Sequence, residues 1–502
     1  MTTGDIHIHL ADLAATERLG EDIALAMARG DCLALHGDLG AGKSTLARAI
    51  LRALADDPHL DVPSPTFTLV QTYDDLRVPV SHFDLYRLNG SDELDELGFE
   101  ESLDNGAVLV EWPQRAADRM PIDAVTLVLS GTGESRDITI SAPADFAARL
   151  ARSRAARIFL DNSGYPGAER RFLQGDASAR SYERVGSDNP LILMNAPRRP
   201  DGPPLRDGLP YSSLAHLAED VRPFVAIGSW LRDHGFAAPE IPAADLDAGF
   251  LLVEDLGNAT LLEADGTPDP ERYAHAIDVL AALHELPAPG RIALSQGPPH
   301  AVPAYDPRAM QIEVELLVDW YLPARGKGAD DDALRAEYLS AWQGLFAELA
   351  AAPKALVLRD YHSPNLIWRP QAQGLQKIGI IDFQDAVIGP AAYDVASLVQ
   401  DARVTVPPAL CENLLRRYEA ARLRSNRNFD AERFRRDYAI MAAQRAAKIL
   451  GIFVRLDRRD GKPHYLRHLP RIETYLAALL AAPVLAPLRF WCDRAGILTG
   501  ER

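Results

Sequence analysis

Residues 37–44 read GDLGAGKS, and this run restricts the possible folds of the chain more than any other feature. The pattern G-x-x-x-x-G-K-S follows a short apolar run, Cys32–His36, and precedes Ser44–Leu54, whose apolar residues recur with helical spacing. Glycines in such a loop let backbone N–H groups point at phosphate oxygens, and a helix N-terminus adds positive potential. The spacing therefore predicts a strand, a phosphate-binding loop and a helix, in that order.

A loop of this kind binds a nucleotide together with Mg²⁺, and its side chains have defined tasks. Lys43 would neutralise phosphate oxygens, and Ser44 would offer its hydroxyl to the metal. Glu111 directly follows a buried apolar run and fits the acidic metal partner, while Asp84 is a second carboxylate that could instead cap a strand end. Trp112 could stack on the base or fill the core. The predicted nucleotide contacts in the loop are Gly37, Asp38, Gly40, Ala41, Gly42, Lys43, Ser44 and Thr45.

A second polar pattern lies far along the chain. Asp360 and Asn365 have the D-x-x-x-x-N spacing of a kinase catalytic loop, and Asp382 follows in the run Ile-Ile-Asp-Phe. In that chemistry the first aspartate positions the attacking hydroxyl and accepts its proton, whereas Asn365 and Asp382 hold the metal ions that bridge the nucleotide phosphates. The sequence thus predicts a second site for ATP and Mg²⁺.

The segment before this second pattern lacks one expected residue. No lysine occurs in residues 44–326, so Met194 or a neighbour would fill the position of the usual phosphate-pairing lysine. Arg180 is the candidate to replace it, and Gly175 belongs to the polar hairpin that would cover the phosphates. Glu254 lies in a segment that resembles the hinge between kinase lobes, whose backbone would meet the adenine.

The charge of the chain is unevenly distributed. The net charge is −18, and residues 1–150 contain 11 basic against 26 acidic residues, whereas the remainder contains 42 and 45. The asymmetry indicates two modules with different surfaces. It also argues against direct phosphate-backbone binding by the first module, because nucleic-acid binding needs a basic patch.

Cysteine usage and hydropathy indicate the compartment. The three cysteines, Cys32, Cys411 and Cys492, are far apart and odd in number, which predicts neither a disulfide framework nor a zinc site and favours a reducing compartment. The first residues lack the pattern of a signal peptide. The apolar stretch Tyr475–Leu488 contains two prolines and is too short to span a bilayer. We therefore expect a cytoplasmic protein without membrane contact.

Several runs within residues 5–140 resemble the bacterial TsaE family, the ATPase subunit of the machinery that makes threonylcarbamoyladenosine in tRNA. In family order they are GDLGAGKST, PSPTF, HFDLYRL, GFEE and VEWP. The resemblance implies ATP binding, weak hydrolysis and association with a TsaB–TsaD pair, so that tRNA is involved only indirectly. It further implies that Asp84 and Glu111 serve Mg²⁺ and hydrolysis, that Trp112 lies beside the nucleotide, and that residues 64–67 form a switch.

The runs RDYHSPNLIW and IDFQDAVIGPAAYDVASL resemble the aminoglycoside-phosphotransferase and choline-kinase superfamily over residues 158–490. Within it the likeness is to AmgK-type kinases, which phosphorylate the anomeric hydroxyl of N-acetylmuramate and N-acetylglucosamine in cell-wall recycling. Such kinases also tend to lack the small-lobe lysine. The resemblance implies an amino-sugar acceptor. Asp394, in the second of these runs, is predicted to anchor the catalytic loop rather than to touch the substrate. Acceptor contacts around Trp320–Tyr321 or Gln444–Lys448 are possible, although both segments also fit core packing or exposed helix faces.

These observations predict a bifunctional chain with two folds. Residues 1–145 would form an α/β P-loop NTPase domain, and residues 146–157 a helical linker. An α+β, two-lobed, protein-kinase-like domain of the aminoglycoside-phosphotransferase type would follow, with a small lobe at 158–257 and a helical lobe at 258–502. In the small lobe, Arg171–Val185 and Leu191–Met194 predict a hairpin.

Three alternatives remain open from the sequence. The kinase-like half could be inert and act as a scaffold for the tRNA-modifying complex. It could be active on an aminoglycoside, choline or another small hydroxyl compound, although its nearly balanced charge makes a polycationic acceptor less attractive. The first module could be a P-loop ATPase that has no TsaB–TsaD partner.

Overall fold

The structure is a computed structural model that describes residues 4–173, 180–186, 190–198, 202–328 and 331–498. The chain folds into two compact units. The first contains Met1–Ala196, Ala243–Asp245 and Phe250–Leu252, and the second contains Pro197–Pro242, Leu246–Gly249 and Val253–Arg502. The boundaries of these units differ from the predicted domain boundaries. The domain boundaries therefore stay a prediction.

Strands are concentrated in the first unit and helices in the second. The strands are β1 (Ile6–Leu10), β2 (Cys32–His36), β3 (Val70–Tyr73), β4 (Val80–Asp84), β5 (Ala107–Glu111), β6 (Val125–Ser130), β7 (Arg136–Ser141), β8 (Arg170–Leu173), β9 (Ser181–Val185), β10 (Leu191–Asn195), β11 (Ala243–Asp245), β12 (Phe250–Glu254), β13 (Arg291–Ile292), β14 (His300–Ala301), β15 (Lys354–Val357), β16 (Leu366–Trp368), β17 (Ile378–Ile380) and β18 (Val387–Pro390). The α-helices are α1 (Leu13–Ala26), α2 (Lys43–Ala55), α3 (Glu93–Glu96), α4 (Phe99–Asn105), α5 (Ala144–Asn162), α6 (Tyr211–Leu214), α7 (Arg222–Asp233), α8 (Pro270–Leu283), α9 (Pro307–Leu316), α10 (Leu322–Ala324), α11 (Asp332–Glu348), α12 (Ala392–Val399), α13 (Pro408–Ser425), α14 (Ala431–Asp460), α15 (Leu469–Leu479) and α16 (Ala486–Ala495).

A seven-stranded mixed sheet forms the N-terminal part of the first unit. Its order is β1-β7-β6-β2-β5-β4-β3, and β6, β2, β5 and β4 run parallel. Alternate residues of β2 and β5 enter two separate apolar clusters, Leu33 and Leu109 in one and Cys32 and Val108 in the other, as expected for a sheet covered on both faces. The carboxyl ends of the parallel strands therefore meet at one edge, beside the start of α2.

A second sheet of the first unit has the order β11-β12-β10-β9-β8. The predicted hairpin is part of it, but the segment predicted as its first strand is divided into β8 and β9, which pair antiparallel with each other. Helix α5 covers the whole segment predicted as a helical linker. It buries Phe146, Leu150 and Leu160, so these residues belong to the packed core of the unit.

A buried charge network joins α1, α5 and the second sheet. The Arg170 guanidinium on β8 pairs with Asp22 Oδ1 at 2.8 Å and with Glu183 Oε2 at 2.7 Å, and it donates to the Ser153 carbonyl at 3.0 Å. Arg157 also pairs with Asp22, at 2.9 Å. The side chain of Arg170 is completely buried, so these carboxylates are needed to offset the cost of removing its positive charge from water.

We expect Arg170→Leu to lower the free energy of unfolding of the first unit by about 3–5 kcal/mol, because it leaves two buried carboxylates with too little compensating charge. Chemical denaturation measures this loss. Arg171→Leu is the matched control, since the neighbouring Arg171 makes only partly exposed ion pairs and should cost at most about 1 kcal/mol. Equal losses for the two variants would contradict the account of the network.

The second unit is mainly helical, with three two-stranded sheets, β13-β14, β15-β18 and β16-β17. Its longest helix, α14, packs against α9, α12 and α15. Gly451 on α14 permits this packing, because a Cβ at that position would lie 2.3 Å from the backbone of Leu316 on α9. The strands of two of these sheets flank the polar residues of the second pattern. Asp360 lies between β15 and β16, and Asp382 lies between β17 and β18.

Within the described ranges, no single helix has the length and apolar composition needed to cross a membrane. One bent pair, Pro463–Leu479 with Pro483–Ala495, meets those criteria when its two helices are taken together.

Candidate functional site

The lysine predicted from the motif binds the carbonyl groups of its own loop, which lies between β2 and α2. Lys43 Nζ donates to the carbonyls of Gly37 and Asp38 at 2.9 and 3.0 Å and lies 3.7 Å from the centre of the Trp112 ring. Burial lowers the pKa of Lys43, and the nearby carboxylate of Glu111 opposes that effect. The structure therefore brings the predicted cation, the glycine loop and the predicted aromatic residue together.

The two predicted carboxylates lie side by side at the edge of the sheet. Asp84 on β4 and Glu111 on β5 are register partners on adjacent parallel strands. Glu111 Oε2 accepts a hydrogen bond from Ser44 Oγ at 2.9 Å, which links the strand to the start of α2. Asp84 Oδ2 accepts from Ser64 Oγ at 3.2 Å and from Thr66 Oγ1 at 2.7 Å, so the segment predicted as a switch contacts a predicted metal ligand.

Sequence reasoning missed two residues of this site. His82 Nε2 lies 3.1 Å from Glu111 Oε1, and both side chains are buried, so the imidazole fixes the carboxylate from behind. Arg136 Nε donates to Ala41 O at 3.0 Å, and Nη2 donates to Gly40 O at 3.2 Å. His82 could have been found because it precedes Asp84 by two residues and faces the same side of β4. Arg136 could not, because its contact depends on the pairing of distant strands.

A cavity of about 400 Å³ adjoins the glycine loop. Its walls include Gly42 and Thr45 of the loop segment, Leu13 and Thr16 of α1, and Arg136. The predicted contact Thr45 thus lines a cavity beside the loop.

The polar residues of the second pattern also come together. Asn365 Nδ2 donates to the Asp360 carbonyl at 3.0 Å and to Asp382 Oδ2 at 3.2 Å. Ile381 N donates to the Asn365 carbonyl at 3.1 Å, and Gln384 Nε2 donates to Asp382 Oδ1 at 2.8 Å. We call the segment Asp360–Asn365 the aspartate loop. Its amide side chain and the Asp382 carboxylate form one contiguous polar group.

Asp394 anchors the start of this loop, as predicted. The fully buried carboxylate accepts hydrogen bonds from Leu358 N at 2.7 Å and from Arg359 N at 2.9 Å. Arg359 has a φ of 68°, an unusual backbone conformation for a residue other than glycine. The two hydrogen bonds hold the backbone in this shape immediately before Asp360.

Glu313 on α9, which sequence reasoning missed, is the centre of a buried charge cluster beneath the aspartate loop. Its carboxylate lies 2.8 Å from Lys448 Nζ, accepts from Gln444 Nε2 at 2.9 Å and also pairs with Arg359. Burial acts to raise the pKa of Asp360, but the positive charges led by Lys448 keep it below its ordinary value. Gln444 and Lys448, predicted either to touch the acceptor or to lie on a helix face, thus support the loop from below.

Two family models match the chain. The model of threonylcarbamoyl adenosine biosynthesis protein TsaE matches residues 10–138, and that of the phosphotransferase enzyme family, APH, matches residues 169–436. TsaE of Bacillus subtilis is 36% identical over 115 residues, which cover 22% of this chain and 70% of that protein. TsaE of Rickettsia felis is 39% identical over 99 residues, which cover 20% of this chain and 57% of that protein.

The part of the chain after the TsaE match is similar to sugar kinases. The N-acetylmuramate/N-acetylglucosamine kinase of Caulobacter vibrioides is 39% identical over 356 residues, which cover 68% of this chain and 96% of that protein. The chain belongs to both families. It is a fusion of a TsaE-family part with an APH-family kinase part, and it is an enzyme with phosphotransferase activity. The kinase part has the kinase-like fold of its family.

The remaining predicted residues of the kinase part have mixed outcomes. Gly175 lies outside the described residues, and Arg180 lies just before β9, where its predicted role stays a prediction. Met194 is buried within β10. The carboxylate of Glu254 accepts from Glu240 N at 3.1 Å. Tyr321 donates to Glu473 Oε1 at 2.9 Å and is buried, so this segment packs in the helical core.

The Glu313 cluster of the kinase part makes stability depend on pH. Burial acts to raise the pKa of Glu313, but Lys448 and Arg359 lower it from 4.5 to about 2. A carboxyl group whose pKa is depressed by folding stabilises the fold above its unfolded pKa, and this contribution is lost as the pH falls towards the folded pKa. Glu313 should therefore contribute about 3 kcal/mol at neutral pH and lose it between pH 4.5 and about pH 2.

Glu313→Gln is expected to lower the free energy of unfolding by about 3–5 kcal/mol at pH 7, because it leaves Lys448 and Arg359 buried without a counter-charge. Denaturation of both proteins from neutral to acid pH should show this difference shrinking below pH 4.5. Glu337→Gln removes a surface ion pair with Arg494, and its free energy of unfolding should equal that of the wild type at every pH measured. Parallel profiles for wild type and Glu313→Gln would contradict the assignment.

Proposed function

We propose that the kinase part transfers the γ-phosphoryl group of ATP to the anomeric hydroxyl of N-acetylmuramate or N-acetylglucosamine, as a step in recycling cell-wall sugars. The observation that carries the proposal is the joining of Asp360, Asn365 and Asp382 through the Asn365 amide, 3.2 Å from Asp382 Oδ2. The choice of acceptor rests on the Caulobacter relative, which is named for these two sugars and 96% of which is covered by the match.

Asp360 acts as the general base in this proposal. Its side chain follows a backbone held by Asp394, and the charge of Lys448 keeps the carboxylate ionised. An ionised carboxylate beside the acceptor orients the hydroxyl and accepts its proton as the oxygen attacks phosphorus. The Asn365 amide and the Asp382 carboxylate are oxygen donors of the kind Mg²⁺ prefers, so these residues fit a metal that neutralises the phosphates.

Arg180 is our proposed replacement for the absent small-lobe lysine. A guanidinium group binds phosphate oxygens through a planar fork of N–H donors, which a methionine at position 194 cannot provide. In this proposal Gly175 and the backbone around Glu254 complete the nucleotide contacts.

We also propose that the TsaE part is a P-loop NTPase that binds and hydrolyses ATP. Lys43 would hold the phosphates together with the backbone of Gly37–Thr45, and Ser44 with Glu111 and Asp84 would hold Mg²⁺. The support is the direct contact of Ser44 Oγ with Glu111 and the position of Trp112 over Lys43. Glu111, oriented by His82, is placed by this proposal to assist the attacking water.

The TsaE part is further proposed to act on a TsaB–TsaD pair in tRNA threonylcarbamoyladenosine formation. Its acidic character suits a protein partner better than tRNA, because nucleic-acid binding needs a basic surface. Size-exclusion chromatography of the full chain with purified TsaB and TsaD tests the association. A complex formed with ATP and weakened by Lys43→Ala supports the proposal, whereas no association under any nucleotide condition contradicts it.

A panel of acceptors tests the kinase proposal. The full chain is incubated with ATP, Mg²⁺ and N-acetylmuramate, N-acetylglucosamine, choline or an aminoglycoside, and phosphorylated product is followed by mass spectrometry. Phosphorylation of the two amino sugars alone supports the proposal. Turnover restricted to choline or the aminoglycoside would replace the proposed acceptor.

A further inference from the structure

A group of basic side chains beside the aspartate loop has no role in the reaction proposed so far. It consists of Arg403, Arg467, His468 and Arg471, which we call the basic cluster. Arg471 Nη1 lies 3.1 Å from His468 Nδ1, and Arg467 Nε lies 3.3 Å from His468 Nε2. Burial and the three arginines lower the pKa of His468 to about 4, which leaves this imidazole neutral among three positive charges at pH 7.

His362 connects the basic cluster to the catalytic aspartate. His362 Nδ1 lies 2.8 Å from the carbonyl oxygen of Asp360, and a carbonyl can only accept, so Nδ1 carries the proton. His362 Nε2 is then the acceptor of the hydrogen bond from Arg403 Nη1, at 3.0 Å. The His362 ring thus links the Arg403 guanidinium to the carbonyl of Asp360 through two hydrogen bonds.

The arginines of the basic cluster have no direct ion-pair partner in the part of the chain that the structure describes. Among the described residues, Arg403, Arg467 and Arg471 make no ion pair with a carboxylate, and Arg403 uses only Nη1 as a side-chain donor. Asp401, the acid whose charge acts on His468, is fully buried and accepts from the backbone N–H groups of Ser363 and Arg403. Arg403 and Arg471 are half-buried, whereas Arg467 is exposed. Guanidinium groups without an acidic partner favour an anion from outside the chain.

We propose that Arg403 binds a carboxylate carried by the acceptor, so that this site prefers N-acetylmuramate to N-acetylglucosamine. The inference rests on the proposed sugar-kinase function. N-acetylmuramate is N-acetylglucosamine with a lactyl ether on the third ring carbon, and the lactyl carboxylate is the only charge by which the two differ. Arg403 is a specificity-determining residue in this arrangement, and His362 is a positioning residue that presents it beside Asp360.

Steady-state kinetics of the full chain with the two sugars test the inference. Arg403→Gln should raise the KM for N-acetylmuramate by about 10- to 100-fold, the range for a lost hydrogen bond to a charged group, with little change in kcat. The kcat and KM for N-acetylglucosamine should stay within about twofold, and this activity also reports that the variant is folded. Arg403→Lys keeps the positive charge but loses the planar pair of N–H donors, so its KM for N-acetylmuramate should lie between those of the wild type and Arg403→Gln.

The methyl ester of N-acetylmuramate supplies the matching change in the ligand. With the wild type it should lose the advantage of the free acid, and Arg403→Gln should then have no further effect, because the two changes remove the same contact. Arg489→Gln, at an exposed arginine on α16, is the charge-matched control and should leave both sugars unaffected.

The outcomes separate the inference from the function on which it rests. An equal loss for both sugars in Arg403→Gln, as expected if the residue serves the nucleotide or the fold, overturns the inference alone. Unchanged kinetics with N-acetylmuramate overturn it as well. A wild-type chain that phosphorylates neither sugar overturns the proposed function and the inference together.

Discussion

Asp360→Asn is expected to lower kcat for amino-sugar phosphorylation by about 10²- to 10⁴-fold, the usual contribution of a positioned general base. Asparagine has nearly the same shape, but its amide accepts no proton from the sugar hydroxyl. The backbone contacts of the loop, from Asp394 to Arg359 N and from Asn365 to the Asp360 carbonyl, do not involve the substituted carboxylate. The KM for ATP should therefore change little, and the loss should appear in kcat.

The control for this variant is Asp493→Asn, which removes an exposed carboxylate on α16 and should retain full activity. Initial-rate measurements on the wild type and both variants, with sugar and ATP varied separately, give kcat and each KM. If Asp360→Asn kept more than a tenth of the wild-type kcat, the carboxylate would not be the base, and our assignment of the aspartate loop would be wrong.

Lys43→Ala is expected to lower ATP hydrolysis by the TsaE part by about 10²- to 10³-fold, because it removes a preorganised positive charge from the phosphates. The substitution also removes the hydrogen bonds that Lys43 Nζ donates to Gly37 and Asp38, so the affinity of the loop for nucleotide should fall as well. Phosphate release without any sugar measures this activity in the full chain.

Arg52→Ala is the matched control for Lys43→Ala, since it removes a positive charge from the last turn of the same helix, α2, at the end far from the glycine loop. It should leave hydrolysis nearly unchanged. Sugar phosphorylation should persist in both variants, because Asp360, Asn365 and Asp382 belong to the other compact unit. Loss of sugar phosphorylation in Lys43→Ala would contradict the independence of the two sites.

Local patterns were sufficient to predict the elements around the glycine loop. The predicted strand Cys32–His36 is β2 with the same bounds, and the predicted helix is α2, one residue longer at each end. Strands β1 and β7 were not predicted, although every residue of β1 pairs with β7. Strand β1 is a short, half-exposed segment at the edge of the sheet, and its strand character depends on a partner more than a hundred residues away, whereas β7 lies between β1 and β6.

The same distinction applies to the candidate sites. The spacing of Asp360, Asn365 and Asp382 predicted their proximity, because a fixed spacing reflects a fixed local geometry. Glu313, Arg136 and Arg403 were missed because their partners are distant in sequence and meet only when the helices and strands pack. The backbone conformations of Arg359 and Asp382, with φ of 68° and 60°, could not be predicted from the residue types at these positions.

Calorimetric titration of the full chain with a non-hydrolysable ATP analogue and Mg²⁺ tests the central claim of two separate nucleotide sites. The account predicts two equivalents bound by the wild type and one by Lys43→Ala, with the remaining equivalent lost when Asn365 and Asp382 are both replaced by alanine. A single equivalent in the wild type, abolished completely by Lys43→Ala, would contradict it.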